Sequence, residues 1–202
     1  MSVTLNSNAL FASYAELNTI MGMTLTDTDY SKWLINIVSD FVAKYTKRTL
    51  KKVTYTAKTI DGHGSYYMYL DQYPIVSITS LQRWDTIANV VAATYVVNTD
   101  YLFDTDKGWI YLREGWATGT QNYHITYDGG FTALPSDLVY AAASMCFWID
   151  QQKKRVGIKS ETMGDYSYQL DKGNGQFAMF MGSPVPSEIM FVLDQYRRHS
   201  II

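Results

Sequence analysis

The sequence predicts an α+β protein: a helical bundle interrupted by an inserted, mostly antiparallel β domain, with an extended C-terminal arm and helix. Three observations predict it. The hydrophobic period is helical up to about residue 50, becomes two from there to about residue 132, and turns helical again afterwards. The stretch Asn122 to Trp148, NYHITYDGGFTALPSDLVYAAASMCFW, reads as strand, glycine turn and helix with almost no slack. Glycines and Met and Phe side chains then intersperse an irregular segment, Val156 to Val185, before a last helical pattern. The domain expectation is therefore 1–50 with 133–202 as the helical part, 159–202 as an arm within it, and 51–132 as the inserted β domain.

Ser13 to Met21 is a short helix, with Ser13 three residues before Glu16 in capping-box spacing and Gly22 placed for a left-handed C-cap. A second helix starts near Asp27 or Asp29, acids that suit a helix N-terminus, and its expected buried face is Tyr30, Leu34, Ile37, Val38, Phe41 and Tyr45. Lys44, Lys47 and Arg48 are expected to complement the dipole at its C-terminus.

Strands are predicted at 53–60, 66–70, 75–81, 89–97, 102–103, 109–113 and 123–127, separated by turn chemistry at Asp61-Gly62-His63-Gly64, Asp106-Lys107-Gly108 and the Gly115 to Gly119 loop. In the last strand Tyr123, Ile125 and Tyr127 alternate with His124, Thr126 and Asp128, so one face is buried. Asp128-Gly129-Gly130 ends it and Pro135 opens a helix whose stripe is Leu138, Ala141, Ala142, Met145 and Ile149. The run Ala141-Ala142-Ala143 leaves room for another helix to approach closely. The final helix, Pro186 to Arg198, carries Ile189, Val192, Leu193 and Tyr196 on one face and ends in Arg197-Arg198-His199.

Composition narrows the function. A formal net charge of -2 provides no clustered cation field for gripping nucleic acid. The single cysteine, Cys146, excludes an internal disulfide and any cysteine-based metal site, and its apolar helix makes it a small core residue. No signal peptide and no apolar run of membrane-spanning length is seen, which points to synthesis and assembly in the cytoplasm and no membrane partner. With 17 Tyr in the chain, half-exposed sheets and protein interfaces are expected, where a ring and a hydroxyl are both used.

Catalytic patterns are sparse. His63, His124 and His199 lack the spacing of a helix-borne metal or base pair. Gly62-x-Gly64 lacks the third glycine and following helix of a phosphate cradle, and a hairpin turn explains it better. Asp100, Asp104 and Asp106, or Asp27 with Asp29, do not show the ligand spacing of a calcium loop and read as turn and cap acids. No enzyme activity, cofactor or metal is therefore expected. A second class stays open, a carbohydrate-binding or glycan-hydrolysing sheet module using Trp84, Trp109 and Trp116 with neighbouring acids, and it requires those rings to line one groove.

The motifs, taken in order, resemble the head-tail adaptor (connector, or head completion) proteins of long-tailed bacteriophages. Tyr45-Thr46-Lys47-Arg48-Thr49-Leu50 ends a helix as that family's does, Leu70-Asp71-Gln72-Tyr73-Pro74-Ile75-Val76-Ser77-Ile78 is similar to its L-x-x-x-P-V-x-S-I strand, Tyr127-Asp128-Gly129-Gly130-Phe131 with Leu134-Pro135-Ser136-Asp137-Leu138 matches its strand-to-helix passage, and Lys159 to Ser167 is similar to its S-E-x-x-G-D-x-S segment. The resemblance spans roughly Phe11 to Arg198 and implies a structural virion protein of the neck. It implies a ring of twelve copies under the portal protein, a lower partner of head-completion (stopper) or tail-terminator type, and genomic DNA passing through without sequence-specific binding. It implies no catalytic position. It also implies portal docking by 159–202, for which Met163, Tyr166, Tyr168, Phe177, Met179 and Phe180 are the expected anchors and Arg197 and Arg198 the steering charges.

Overall fold

A computed structural model of the chain describes residues 2–11, 13–26, 28–85, 87–154, 162–163, 166–167, 179–180 and 183–198. Two compact units emerge, Met1–Lys47 with Ser136–Ile202, and Arg48–Pro135. Helices dominate the first and two antiparallel sheets make up the second, so the α+β class holds.

In the helical unit, α1 (Tyr14–Met21), α2 (Thr28–Thr46) and α4 (Ser187–Gln195) all pack on α3 (Ser136–Lys154). The predicted α3 stripe is buried throughout, joined by Ala143 and Cys146, and the small alanines allow neighbours on several sides. Burial pushes the Cys146 thiol up, away from thiolate chemistry. Gly22 takes the left-handed conformation that closes α1, and Asn18 clamps the chain beyond it by exchanging two hydrogen bonds with the Leu25 backbone, 3.0 and 3.1 Å. Ser13 is the extended N-cap residue but makes no side-chain cap bond, so the capping box does not form.

The buried face of α2 differs from the expected one. Leu34 and Val38 are buried as predicted, but their companions are Ser31, Ile35, Ser39, Val42 and Thr46, while Tyr30, Ile37, Phe41 and Tyr45 are half-buried. The stripe is rotated by one position because its three hydroxyl residues satisfy themselves. Ser31, Ser39 and Thr46 donate to the carbonyls of Thr28, Ile35 and Val42 at 3.1, 2.7 and 2.8 Å, so each can be buried as a small residue. The displaced tyrosines then use their hydroxyls. Tyr30 donates to Asp150 at 3.2 Å, Tyr45 donates to Asp194, and Tyr196 donates to Asp137 at 2.7 Å, tying α2 to α3, α2 to α4, and the end of α4 to α3.

The β unit contains the seven predicted strands: β1 (Val53–Gly62), β2 (Tyr67–Tyr69), β3 (Ile75–Asp85), β4 (Val90–Tyr95), β5 (Tyr101–Phe103), β6 (Trp109–Leu112) and β7 (Gly119–Gly129). They form two antiparallel sheets, β1-β7-β3-β4 and β2-β6-β5. One core lies between them. Tyr123, Ile125 and Tyr127 of β7 point inward as the alternation predicts, with Leu81 and Tyr95, against Met68, Tyr101, Ile110 and Leu112 of the smaller sheet and the enclosed Trp116. Each such large side chain contributes about 1.5–3 kcal/mol on burial.

Gly62-x-Gly64 is not a hairpin turn. Gly62 pairs with Gly119 across β1 and β7, and Gly64, at φ 78°, bonds the Trp116 carbonyl at 2.8 Å as the chain passes to the other sheet. A Cβ on Gly62 would run into the Ala117 carbonyl and the Tyr123 ring. Asn122 fixes the same corner, accepting from Gly62 N–H at 2.8 Å and donating to the Ala117 carbonyl at 2.9 Å.

Four short strands follow α3: β8 (Thr162–Met163) pairs with β9 (Tyr166–Ser167), and β10 (Met179–Phe180) with β11 (Ser183–Pro184), so this segment is not wholly irregular.

Candidate interaction surfaces

Parts of three of the motifs that carry the resemblance, Arg48 to Leu50, Gln72 to Pro74 and Gly130 to Phe131, meet at one end of the β unit. Phe131 N–H donates to the Leu50 carbonyl at 2.7 Å, Gly130 N–H to the Pro74 carbonyl at 2.9 Å, and Thr49 N–H to the Gln72 side chain at 3.0 Å. Arg48 is buried here with its guanidinium 3.9 Å from the Tyr73 ring centroid and 5.6 Å from that of Phe131. That overturns its expected role at the end of α2: two aromatic faces hold this cation inside the β unit, and Lys44 is the base in the last helical turn. A Cβ on Gly130, at φ 107°, would meet the Lys51 carbonyl, which explains the second glycine of the Gly-Gly pair. These motif positions therefore secure the two chain passages of the unit.

Its two outer faces differ. On the larger sheet the outward positions include Thr54, Ser77, Thr126 and Asp128, and the Asp128 carboxylate accepts from Thr54 at 2.6 Å and Lys52 at 2.9 Å. Those hydrogen bonds, Thr54 foremost, hold its carboxyl below the usual carboxylate range. On the smaller sheet the outward positions are Tyr67, Tyr69, Leu102, Trp109 and Tyr111. Tyr67 lies edge-on to Trp109 at 5.4 Å and against Tyr111 at 5.1 Å, and Tyr66 stacks on Tyr111 at 6.0 Å.

The three tryptophans do not line one groove. Trp116 is 1% exposed in the core, Trp84 stacks on His124 at 4.5 Å on the larger sheet, and Trp109 belongs to the outer face of the smaller one. The acids take turn roles: Asp104 accepts from Lys107 N–H at 2.8 Å and Asp100 from Val96 N–H at 2.7 Å. Among the described residues no three His, Cys, Asp or Glu side chains are grouped to hold a metal ion. No described helix is long and apolar enough to cross a membrane.

The helical unit presents an open groove of about 580 Å³ beside α3 and α4, lined by Met21, Tyr140, Phe147, Trp148, Ile189 and Val192 among others. Of the expected docking residues, Arg197 and Arg198 are exposed just beyond α4, Arg197 with its guanidinium 5.5 Å from the Tyr45 ring and Arg198 with its N–H on the Thr46 carbonyl at 2.9 Å. Met163, Tyr166, Met179 and Phe180 fall on the short strand pairs, described in their backbone alone; Tyr168, Phe177 and His199 lie outside the described residues. Sequence reasoning missed the outer face of the smaller sheet as a unit. Its signal was the alternation of Tyr67, Tyr69, Trp109 and Tyr111 with Met68 and Ile110, which shows two buried faces or one buried and one sticky face equally well.

Fold and surfaces together define an α+β protein whose β unit carries two unlike outer faces. The chain belongs to the head completion protein family, whose model matches residues 10–199. Two solved structures share its fold along the whole chain: one from the neck of an empty gene transfer agent (GTA) particle computed with C6 symmetry, at 14% identity and TM-score 0.52, and one from the virion of a native GTA particle, at 16% identity and TM-score 0.50. Each alignment covers 100% of this chain and 96% of the other. No curated protein sequence matches the chain.

Proposed function

We propose that the protein is a head-tail connector adaptor. Copies join head to tail into a ring of twelve beneath the portal protein, extend the DNA channel, and provide the attachment surface for a head-completion (stopper) or tail-terminator protein. The role is one of non-covalent assembly in the virion neck, put together in the host cytoplasm, with DNA passing rather than bound. The observation that supports it is membership of the head completion family over nearly the whole chain, together with a fold shared with a chain from a GTA neck. Twelve copies is the family's number, carried by the motif resemblance.

In this reading 51–132 is the inserted β domain and 159–202 the portal-docking element, with Met163, Tyr166, Tyr168, Phe177, Met179 and Phe180 as anchors. A docking element of this length spreads its binding over several contacts along it. Helix α4 buries Ile189, Met190 and Leu193 inside its own unit, which confines its part in docking to exposed Phe191, Arg197 and Arg198. The test replaces the six anchors by Ser in the full chain and follows its recovery on filled, portal-bearing heads. Heads lacking this protein and lacking tails are expected; normal joining by the variant overturns the docking role. A reconstruction of the virion neck showing other than twelve copies overturns the ring.

A further inference from the structure

We propose, resting on the ring reading, that neighbouring copies meet through their β units, the tip of the β3–β4 hairpin of one copy seated on the aromatic outer face of the β2-β6-β5 sheet of the next. The two outer faces of the unit motivate this. The larger sheet presents hydroxyls and a bridged carboxylate, satisfied facing water, and an aromatic stack, Trp84 on His124. The smaller sheet presents aromatic rings and Leu102 at every outward strand position, with no charged side chain among them and with Tyr67 and Tyr69 45% and 48% exposed. A contiguous apolar face of this kind marks an interaction site.

The hairpin tip has the complementary form. The Asp85 carboxylate accepts the N–H groups of Ile87 and Ala88 at 2.9 and 3.0 Å, and Asn89 turns the chain at φ 53°. Its charge is thus directed into the turn it holds. Ile87 projects 97% exposed, followed by exposed Val90 and Val91. With Ile87 and Ala88 held by the Asp85 carboxylate, this part of the tip loses little conformational freedom on docking.

A head-to-tail contact that closes a ring joins two different patches of one chain. The β unit carries two that are unlike in form, one broad and aromatic and one narrow and projecting. Nucleic acid would need Lys or Arg beside the rings to neutralise phosphates, and the outward strand positions hold none.

The test uses the full chain with Cys146→Ala, adding Ile87→Cys and Tyr69→Cys singly and together, and treats assembled heads with a short bis-maleimide. A ladder of covalent multimers from the double variant and none from the singles is expected. In parallel, Ile87→Asp should leave the melting temperature unchanged and lower ring incorporation about tenfold or more, as loss of an interface anchor does. Wild-type incorporation of Ile87→Asp without cross-linking in the double variant overturns this contact and leaves the ring reading standing. Absence of any ring from wild-type necks overturns both.

Discussion

The two units use tyrosine in different ways. In the helical unit the rings of Tyr30, Tyr45 and Tyr196 are half-buried and their hydroxyls tie helices together through Asp150, Asp194 and Asp137. In the β unit Tyr123 and Tyr127 fill the core with their rings, and Tyr66, Tyr67 and Tyr69 cover the outside of the smaller sheet. The difference follows from geometry. Helices meet along lines and leave gaps at their edges that a long side chain with a polar tip can bridge, whereas packed sheets need wide, flat side chains across the whole interface. Helix-to-helix ties should therefore be sensitive to protonation, and the sandwich to shape.

The largest expected effect strikes shape in the β unit. Gly62→Ala places a methyl against the Ala117 carbonyl and the Tyr123 ring, at a corner that Asn122 already fixes. Overpacking against backbone costs on the order of 3 kcal/mol. Thermal unfolding should show the sheet signal lost many degrees earlier, and an unchanged midpoint would mean that the corner is looser than its hydrogen bonds indicate.

Next comes Leu193→Ala in the helical unit. Leu193 is fully buried on α4, and truncating such a side chain costs about 2–5 kcal/mol. Hydrogen exchange should speed in α3 and α4 while amides of β7 keep their protection; equal acceleration in both units would make them one cooperative body.

The smallest effect tests the ties. Burial and then the Asp150 carboxylate push the Tyr30 hydroxyl up to about 12, and burial and Asp194 raise that of Tyr45. A phenol whose pKa is raised on folding contributes stability that is complete below its unfolded value near 10 and is lost as pH climbs from there toward 12. Tyr30→Phe should cost about 1 kcal/mol at neutral pH and flatten part of the alkaline loss of helix signal. A Tyr30→Phe protein with the full wild-type alkaline slope would assign that slope to other groups.

The sequence by itself determined the local elements. Seven strands, the α3 stripe, the left-handed Gly22 and the inward set Tyr123, Ile125 and Tyr127 were legible because alternation, helical spacing and glycine conformations are properties of a few adjacent residues. The family was legible as well, since several of its motif residues secure the two chain passages of the β unit. Tertiary structure alone decided the rest. The order β1-β7-β3-β4 pairs Val53 with Gly129, a closure that no local window encodes. It also split the strands into two sheets, so that Gly62-x-Gly64 became a passage between them and the smaller sheet gained an aromatic outside. On α2 the pattern allowed two neighbouring faces, and packing chose the one with Ser31, Ser39 and Thr46, whose hydroxyls carry their own acceptors and read as surface residues in sequence. Arg48 is the plainest case: a cation after a helix belongs in water unless distant aromatic rings close over it, and only the fold brings Tyr73 and Phe131 to that place.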